Sequence, residues 1–231
     1  MTRLTSAGEL HPATRAELSG LPLEVAPRLL GGILTTVVGG ETVAVRLTEV
    51  EAYHGAGTGP TPDPGSHARM GRTARNATMW GEPGHLYVYL SHGIHSCVNV
   101  VCGPEGVAGG VLLRAGEVLE GQDAATRRRR ERRGVVRSDR DLARGPGRFG
   151  DAVGLRHPVH DGIDAITGVV HAGAVARLAL RTEPLDVVAG PRVGVAGVAG
   201  TDAFPWRFWI DGDPTVSAFR WGRGAGPSPL G

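Results

Sequence analysis

The sequence predicts an α/β (α+β) fold in a single domain, built more from strands and loops than from helices. The chain has 231 residues, 41% of them hydrophobic, which is enough to bury one substantial core. Its 37 glycines and 16 prolines disfavour a helical bundle. Because no internal repeat and no linker-like segment divides the chain, we expect one domain and not two.

The first half of the chain is expected to begin with helix and to continue with strands. Residues 1 to about 36 are predicted to be largely helical, with Thr5-Ser6 as a cap region. Within them, Leu23–Leu30 has the spacing of an amphipathic helix. The loop His54–Ser66 is rich in glycine and proline and must be irregular. Predicted strands are Glu41–Tyr53, Leu86–Leu90, Cys97–Cys102 and Gly109–Arg114.

The second half is expected to contain two helices and then strands separated by turns. A helix is predicted from Glu117 to Arg133, with acidic residues early and basic residues late, matching the helix dipole. A short helix is predicted near Phe149–Val153. Residues 222–231 have the composition of a disordered tail, so the folded domain is predicted to be residues 1–221. Predicted strands are Val169–Leu180, Arg192–Val198 and Arg207–Ile210.

Composition also indicates the cellular environment. All 25 basic residues are arginine, a bias that we attribute to a GC-rich genome. Cys97 and Cys102 are too few for a disulfide framework, which favours a reduced environment. The first twenty residues lack the apolar stretch of a signal peptide, and no segment has the length of a membrane span. We therefore expect a cytoplasmic protein without a membrane partner.

Positive charge is concentrated in one part of the chain. Residues 127–148 contain ten arginines and three acidic residues, and the densest part is Arg127–Arg133. One interpretation is a solvated helix face. The other is a patch that binds phosphate, because the planar guanidinium matches phosphate oxygens. Charge clustering alone does not decide between these two interpretations.

The strand near residues 47–53 ends in two carboxylates and a tyrosine. Because side chains alternate at period two, Glu49, Glu51 and Tyr53 are predicted to share the face of Val43, Val45 and Leu47. Buried carboxylates are costly unless they are paired or used in chemistry. All three tyrosines of the chain occur between residues 53 and 89. This window is therefore predicted to contain the functional site.

An ordered series of segments, covering roughly residues 25–217, matches one known family. The matching segments are Glu49–Tyr53, Ser66–Arg69, Gly71–Asn76, Met79, Pro83–Tyr89, Gly93, Asn99, Val111–Ala115, Leu119–Gly121, Gly145-Pro146, Pro191–Gly194 and Arg207–Ser217. In these segments the chain resembles the alkyladenine (3-methyladenine) DNA glycosylases in their bacterial form. The resemblance implies a single α/β domain around a curved, largely antiparallel sheet flanked by helices.

The activity that the resemblance implies is base excision. Enzymes of this kind flip alkylated or deaminated purines, such as 3-methyladenine, 7-methylguanine and hypoxanthine, out of duplex DNA and hydrolyse the N-glycosidic bond. The implied partner is double-stranded DNA that contains damaged purines. We expect a monomer with no obligate protein partner, no cofactor and no metal. Because the chain has no lysine to form a Schiff base, we expect a monofunctional enzyme without a lyase step.

The resemblance also implies catalytic roles for individual residues. Glu51, directly before Ala-Tyr, matches the family's catalytic glutamate and is predicted to activate water; Glu49 is expected to orient its neighbours or to pair with an arginine. Arg114 matches an arginine that helps to position the water and keeps the glutamate ionised. Val193 falls where the family supplies a backbone carbonyl to the same water.

Other matched residues are predicted to bind the flipped base. Tyr53 and Tyr89 match stacking tyrosines, and His67 matches the third wall of the base pocket. Asn99 matches a side chain that crowds the exocyclic amine of undamaged guanine. The sequence departs from the family at His92, where a tyrosine commonly wedges into the gap left by the flipped base. We expect this change to weaken trapping of the flipped base without abolishing the chemistry.

Two other classes of protein remain open from the residues alone. A zinc protein is one, because the spacing of His92, His95, Cys97 and Cys102 superficially resembles a zinc-ligand cluster. Strand alternation argues against it by sending the two cysteines to opposite faces. The other is a nucleic-acid-binding module without catalysis, which would not need Glu51 and Arg114 together with two pocket tyrosines.

Overall fold

The computed structural model describes residues 9–55, 62–133 and 136–227, and these form three α-helices and eleven strands. The helices are α1 (Pro22–Leu29), α2 (Gln122–Arg133) and α3 (Pro146–Val153). The strands are β1 (Leu10–Pro12), β2 (Ile33–Val38), β3 (Glu41–His54), β4 (His85–Ser91), β5 (His95–Val101), β6 (Gly109–Glu120), β7 (Ala143–Arg144), β8 (Ile163–Asp164), β9 (Ala174–Arg181), β10 (Val188–Gly190) and β11 (Arg207–Trp209).

The strands form one curled antiparallel sheet, which confirms the predicted mixed α/β fold. Its main order is β1-β9-β2-β3-β6-β5-β4-β8, while β11 pairs with β3 and β10, and β7 pairs with β6. The long strands β3 and β6 lie at the centre of this order. Among the described residues, no helix is long and apolar enough to cross a membrane.

Strand β3 changes the face that it turns to the main core. Its core residues are Val43, Val45, Leu47, Val50 and Ala52, odd-numbered first and then even-numbered. The pairing with β6 shifts register twice between Leu47 and Val50, as β-bulges do. The prediction that Glu49, Glu51 and Tyr53 share the face of the earlier apolar residues is therefore wrong. The bulges move them to the opposite face, away from the main core.

Several predicted elements differ from the observed ones. Residues 9–36 are not largely helical, because β1 and β2 flank the confirmed helix α1, which begins at Pro22 and ends before Gly31 and Gly32. Arg192–Val198 is loop and a short 3-10 turn, not a strand, because Gly194 and Gly197 adopt positive φ angles of 70° and 64°. Thr5, Ser6, residues 56–61 of the predicted loop and residues 228–231 lie outside the described residues.

Helix α2 begins at Gln122, five residues later than predicted, because β6 continues to Glu120. Its arginines differ in burial. Arg128 donates to the carbonyl oxygens of Ala152 and Val38, and Arg129 pairs with a carboxylate of α3 at 3.4 Å. These two residues attach the helix to the domain, whereas Arg130 and Arg132 are exposed.

Candidate active site

A cavity of about 380 Å³ is bordered by aromatic side chains from separate parts of the chain. Tyr53 comes from β3, Tyr87 and Tyr89 come from β4, and His67 comes from the loop between these strands. Asn99, on the neighbouring strand β5, also borders it. The volume lies in the range of roughly 300–1,000 Å³ that small-molecule sites occupy. Four predicted base-binding residues are thus brought together.

The aromatic wall of this smaller cavity is uncharged. The rings of His67 and Tyr89 meet edge to face with centroids 4.5 Å apart, and Tyr87 stacks on Tyr89 at 5.4 Å. Burial raises the pKa of Tyr87 to about 12 and also raises the pKa of Tyr89, so both hydroxyls stay protonated. Burial, with the charges of Arg75 and Arg69, lowers the pKa of His67. A neutral aromatic wall favours stacking against a planar ring.

The side chain of Asn99 has a fixed orientation. It is 6% exposed, and its Nδ2 donates to the backbone oxygen of Tyr87 at 3.1 Å. Because a carbonyl can only accept a hydrogen bond, the NH₂ group must face Tyr87. The amide oxygen of Asn99 therefore points elsewhere, and the residue presents a defined surface at the border of the smaller cavity.

A larger cavity of about 860 Å³ adjoins the smaller one. Tyr53 and Tyr89 border both cavities, so the two share a wall. Glu51 and Arg114 border only the larger one. The predicted acid–base group and the predicted base pocket therefore lie on either side of the same tyrosines, as a reaction on a bond between a base and its sugar would require.

The carboxylate of Glu51 is fully buried and surrounded by donors. Its Oε1 accepts from the Val193 amide at 2.7 Å and lies 3.3 Å from Nη1 of Arg114. Its Oε2 accepts from the Tyr53 hydroxyl at 2.8 Å. Burial, and then the charge of Glu51, raise the pKa of Tyr53, so this hydroxyl remains a donor. The carboxylate is held in one orientation at the cavity border.

Glu49 pairs with arginine, as expected. Its Oε1 accepts from Arg114 at 3.0 Å and from Arg207 at 2.6 Å, and its Oε2 accepts from the Ser217 amide at 2.8 Å. Burial alone would raise the pKa of Glu49, but the two arginines and the Ser217 hydrogen bonds outweigh it and lower the pKa. Glu49 is therefore an ionised structural partner and borders neither cavity.

Arg114 links the two carboxylates. Its Nε contacts Glu49 and its Nη1 approaches Glu51. Burial would lower the pKa of Arg114, but the charges of Glu51 and Glu49 dominate and raise it. The guanidinium thus keeps its charge beside Glu51. Val193 contacts the same carboxylate through its amide; its carbonyl remains predicted to bind water.

His92 lies at the tip of the β4–β5 hairpin and borders the larger cavity. The amide of Ile94 donates to the carbonyl of Ser91 at 3.0 Å, closing a tight turn. His92 and Gly93 have φ angles of 51° and 68°, as in a type I′ hairpin turn. Histidine enters this left-handed region more readily than most residues. The exposed ring is thus placed at the cavity rim.

The predicted zinc-ligand residues do not assemble. Cys97 borders the larger cavity, and burial raises its pKa to about 11, whereas Cys102 lies in the main core. Among the residues that the structure describes, no three histidine, cysteine or acidic side chains are placed to bind a metal ion together.

Comparison with known families agrees with this geometry. The model of the methylpurine-DNA glycosylase family matches residues 17–214, which is most of the chain. The chain belongs to this family. A methylpurine-DNA glycosylase fold therefore carries both cavities, and Glu51, Tyr53, His67, Tyr89, Asn99, Arg114 and Val193 all lie inside the matched range.

Relatives in the methylpurine-DNA glycosylase family cover nearly the whole chain. A protein of Nocardia farcinica is 51% identical over 86% of this chain and 87% of its own. A protein of Streptomyces avermitilis is 46% identical over 94% of this chain and 96% of its own. A protein of Cutibacterium acnes is 47% identical over 88% of this chain and 98% of its own. All three carry the provisional name 3-methyladenine DNA glycosylase.

One pair of residues at this methylpurine-DNA glycosylase site was not predicted. Arg192 and Asp63 are both buried and form a two-fold ion pair, with distances of 2.9 and 2.8 Å. The Arg192 guanidinium carbon lies 4.5 Å from the ring centre of Tyr53. Arg192 belongs to the segment Pro191–Gly194 that matches the family, and this match was the feature of the sequence that could have indicated its importance. Nothing local indicated Asp63, which is 129 residues away.

Proposed function

We propose that this member of the methylpurine-DNA glycosylase family is a monofunctional DNA glycosylase of base excision repair. It flips alkylated or deaminated purines, including 3-methyladenine, 7-methylguanine and hypoxanthine, out of duplex DNA and hydrolyses the N-glycosidic bond. The observation that carries this proposal is the position of the Glu51 carboxylate across the Tyr53 wall from an aromatic cavity of about 380 Å³.

In this proposal the flipped base enters the smaller cavity. Extruding a base from the duplex costs a few kcal/mol. Stacking on aromatic side chains contributes about 1–3 kcal/mol per base and offsets this cost. Tyr53, Tyr89 and His67 provide the neutral rings for that contact. Asn99, fixed against Tyr87, crowds the exocyclic amine of undamaged guanine and so disfavours normal DNA.

The sugar then lies at the boundary with the larger cavity. Glu51 accepts a proton from water, whose oxygen forms a bond to C1′ while the bond from C1′ to the base nitrogen breaks. The carboxylate also stabilises the oxocarbenium-like transition state. Arg114 and the Val193 amide orient Glu51, and the Val193 carbonyl is proposed to accept from the same water. 3-Methyladenine and 7-methylguanine already carry positive charge in DNA, so they leave as neutral bases. Hypoxanthine is neutral, so its departure also requires a proton, supplied by solvent, or a hydrogen bond on the leaving base.

The test of this proposal is base release. We expect the purified protein to release bases from methylated bulk DNA, or from duplexes that contain hypoxanthine or ethenoadenine, at a rate well above that of a buffer control. Strands should break only after alkali treatment, because no lysine is present for a lyase step. Release of no base from any substrate would reject the glycosylase, and direct strand breakage would reject a monofunctional one. The protein is proposed to act as a monomer.

Replacing His92 by tyrosine is expected to strengthen binding to a duplex that contains ethenoadenine by about fivefold or more, because a larger ring stacks better in the gap. His92→Ala should weaken binding, since it removes the ring from the rim. Single-turnover rates should change little in either variant, because Glu51 is untouched. Equal affinities for wild type and both variants would show that His92 does not wedge into DNA.

A further inference from the structure

The chain folds back on the candidate active site after the family-matched residues end at 214. The amide of Gly194 donates to the carbonyl of Arg220 at 2.9 Å, and the amide of Gly197 donates to that of Arg223 at 3.0 Å. Residues 218–225, which we term the C-terminal segment, therefore lie along the loop that begins at Val193. This loop contacts Glu51 through the Val193 amide.

The C-terminal segment is fitted closely to this loop. A β-carbon placed on Gly222 would lie 1.9 Å from the backbone oxygen of Val195, so only glycine allows this approach. Phe219 and Trp221 meet edge to face at 4.8 Å, and the Arg207 guanidinium carbon lies 5.7 Å from the ring centre of Phe219. Arg207 is itself bound to Glu49. The segment is thus anchored to the same network as the candidate active site.

Arg220 differs from the other arginines at the larger cavity. Arg114 is paired with glutamates and Arg129 with Asp151, while Arg144 and Arg148 lie 3.8 and 3.7 Å from an oxygen of Asp141. Arg220 is exposed and has no carboxylate partner among the described residues.

The Arg220 side chain lies over the cavity wall. Its Nε would be 3.8 Å from a β-carbon on Gly194, which itself borders the larger cavity. In the proposed function the sugar lies at the boundary between the two cavities, so the backbone of the flipped nucleotide passes through the larger one. A phosphate there would meet an unpaired guanidinium, whose planar fork matches phosphate oxygens.

We propose that the C-terminal segment is part of the DNA-binding surface and that Arg220 binds a backbone phosphate next to the flipped nucleotide. This inference rests on the proposed function for the path of the strand. It assigns the ligand as a DNA phosphodiester and gives a role to residues beyond the family-matched range.

The test compares Arg220→Gln with wild type in the full chain. Binding to an undamaged duplex and to one that contains ethenoadenine is measured over a range of NaCl concentrations. Losing one phosphate contact should lower the slope of log K against log salt by about 0.9. Binding to the ethenoadenine duplex should weaken more than binding to the undamaged one, because the phosphate reaches the larger cavity only when its nucleotide is flipped. Arg177→Gln is the matched control, since Arg177 is exposed on β9 and borders neither cavity.

A slope for the ethenoadenine duplex equal to that of wild type and of the control would overturn the proposal, as would weakening confined to the undamaged duplex. Base release by wild type is measured in the same preparations. If wild type releases bases and Arg220→Gln leaves the slope for the ethenoadenine duplex unchanged, only the assignment of Arg220 as a phosphate ligand fails. If wild type releases no base but the slope falls for the ethenoadenine duplex, the proposed function fails while Arg220 remains a phosphate ligand.

Discussion

Replacing Glu51 by glutamine is expected to lower the rate of base release by about 10²–10⁴-fold, because the variant has no carboxylate to take a proton from water. The measurement is single-turnover release from a duplex that contains hypoxanthine or ethenoadenine. Affinity for DNA with an abasic site should be retained, since the substitution leaves His92 and the arginines at the larger cavity unchanged. This combination of lost release and retained binding distinguishes catalysis from a non-catalytic binding module.

Geometry indicates that the Glu51→Gln protein still folds. The new NH₂ group can face the Tyr53 hydroxyl, which is able to accept a hydrogen bond, while the amide oxygen keeps the Val193 contact. Arg114 retains Glu49 as its charged partner. We therefore expect urea unfolding of this variant to resemble that of wild type.

The matched control is Glu49→Gln. Its oxygens accept from Arg114 and Arg207 on one side and from the Ser217 amide on the other. Whichever way an amide turns, its NH₂ faces a group that only donates, either the two arginines, with the Ser217 hydroxyl beside them, or the Ser217 amide. This variant should therefore be strongly destabilised. If Glu51→Gln released bases at the wild-type rate, Glu51 would not be the general base. If the two variants unfolded alike, the assignment of Glu49 as the structural carboxylate would be wrong.

The candidate site was predictable from sequence where chemistry depends on residues that are close together in the chain. The seven residues that end in Glu51-Ala-Tyr53 indicated a functional site by themselves. The resemblance to the family then added Tyr89, His67 and Asn99 through the order of the matching segments. The structure places these residues around one pair of cavities. Their catalytic and binding roles stay predictions until they are measured.

The face of β3 was not predictable, because alternation at period two assumes an unbroken ladder. Two register shifts between Leu47 and Val50 invert the pattern. The prediction that a helix begins at Glu117 failed because this residue belongs to strand β6, which continues to Glu120. Glu117 pairs across strands with Arg46 at 2.8 Å, and Gly121, with a φ of 79°, separates β6 from α2. Tertiary pairing overrode the local preference for helix.

The predicted strand Arg192–Val198 failed because its first side chain is used elsewhere. Arg192 is fully buried against Asp63 and also donates to the backbone oxygens of Ala52 and Ala199. A loop with positive φ at Gly194 and Gly197 delivers it there. A contact between residues that are 129 positions apart leaves no periodic pattern of hydrophobic residues in the sequence. The ion pair between Arg192 and Asp63 is also expected to have a large effect on the stability of the protein.

Asparagine at position 63 is expected to lower the free energy of unfolding by about 3–5 kcal/mol, since Asp63→Asn leaves the Arg192 cation buried without its counter-charge. Both side chains have zero exposure, so water does not replace the lost charge. Arg192→Met should lower the free energy of unfolding by less, because the Asp63 carboxylate still accepts hydrogen bonds from the amides of His54 and Gly65. Urea unfolding measures both values.

Combining the two substitutions separates stability from function. With neither charge present, the double variant should recover much of the stability that Asp63→Asn loses. It should nevertheless bind ethenoadenine DNA less tightly, because the flexible methionine replaces the planar guanidinium that now lies 4.5 Å from the ring centre of Tyr53. A loss below about 1 kcal/mol in Asp63→Asn would show that the pair is not needed for folding. Wild-type affinity in a stable double variant would show that the Glu51 hydrogen bond alone orients the Tyr53 ring.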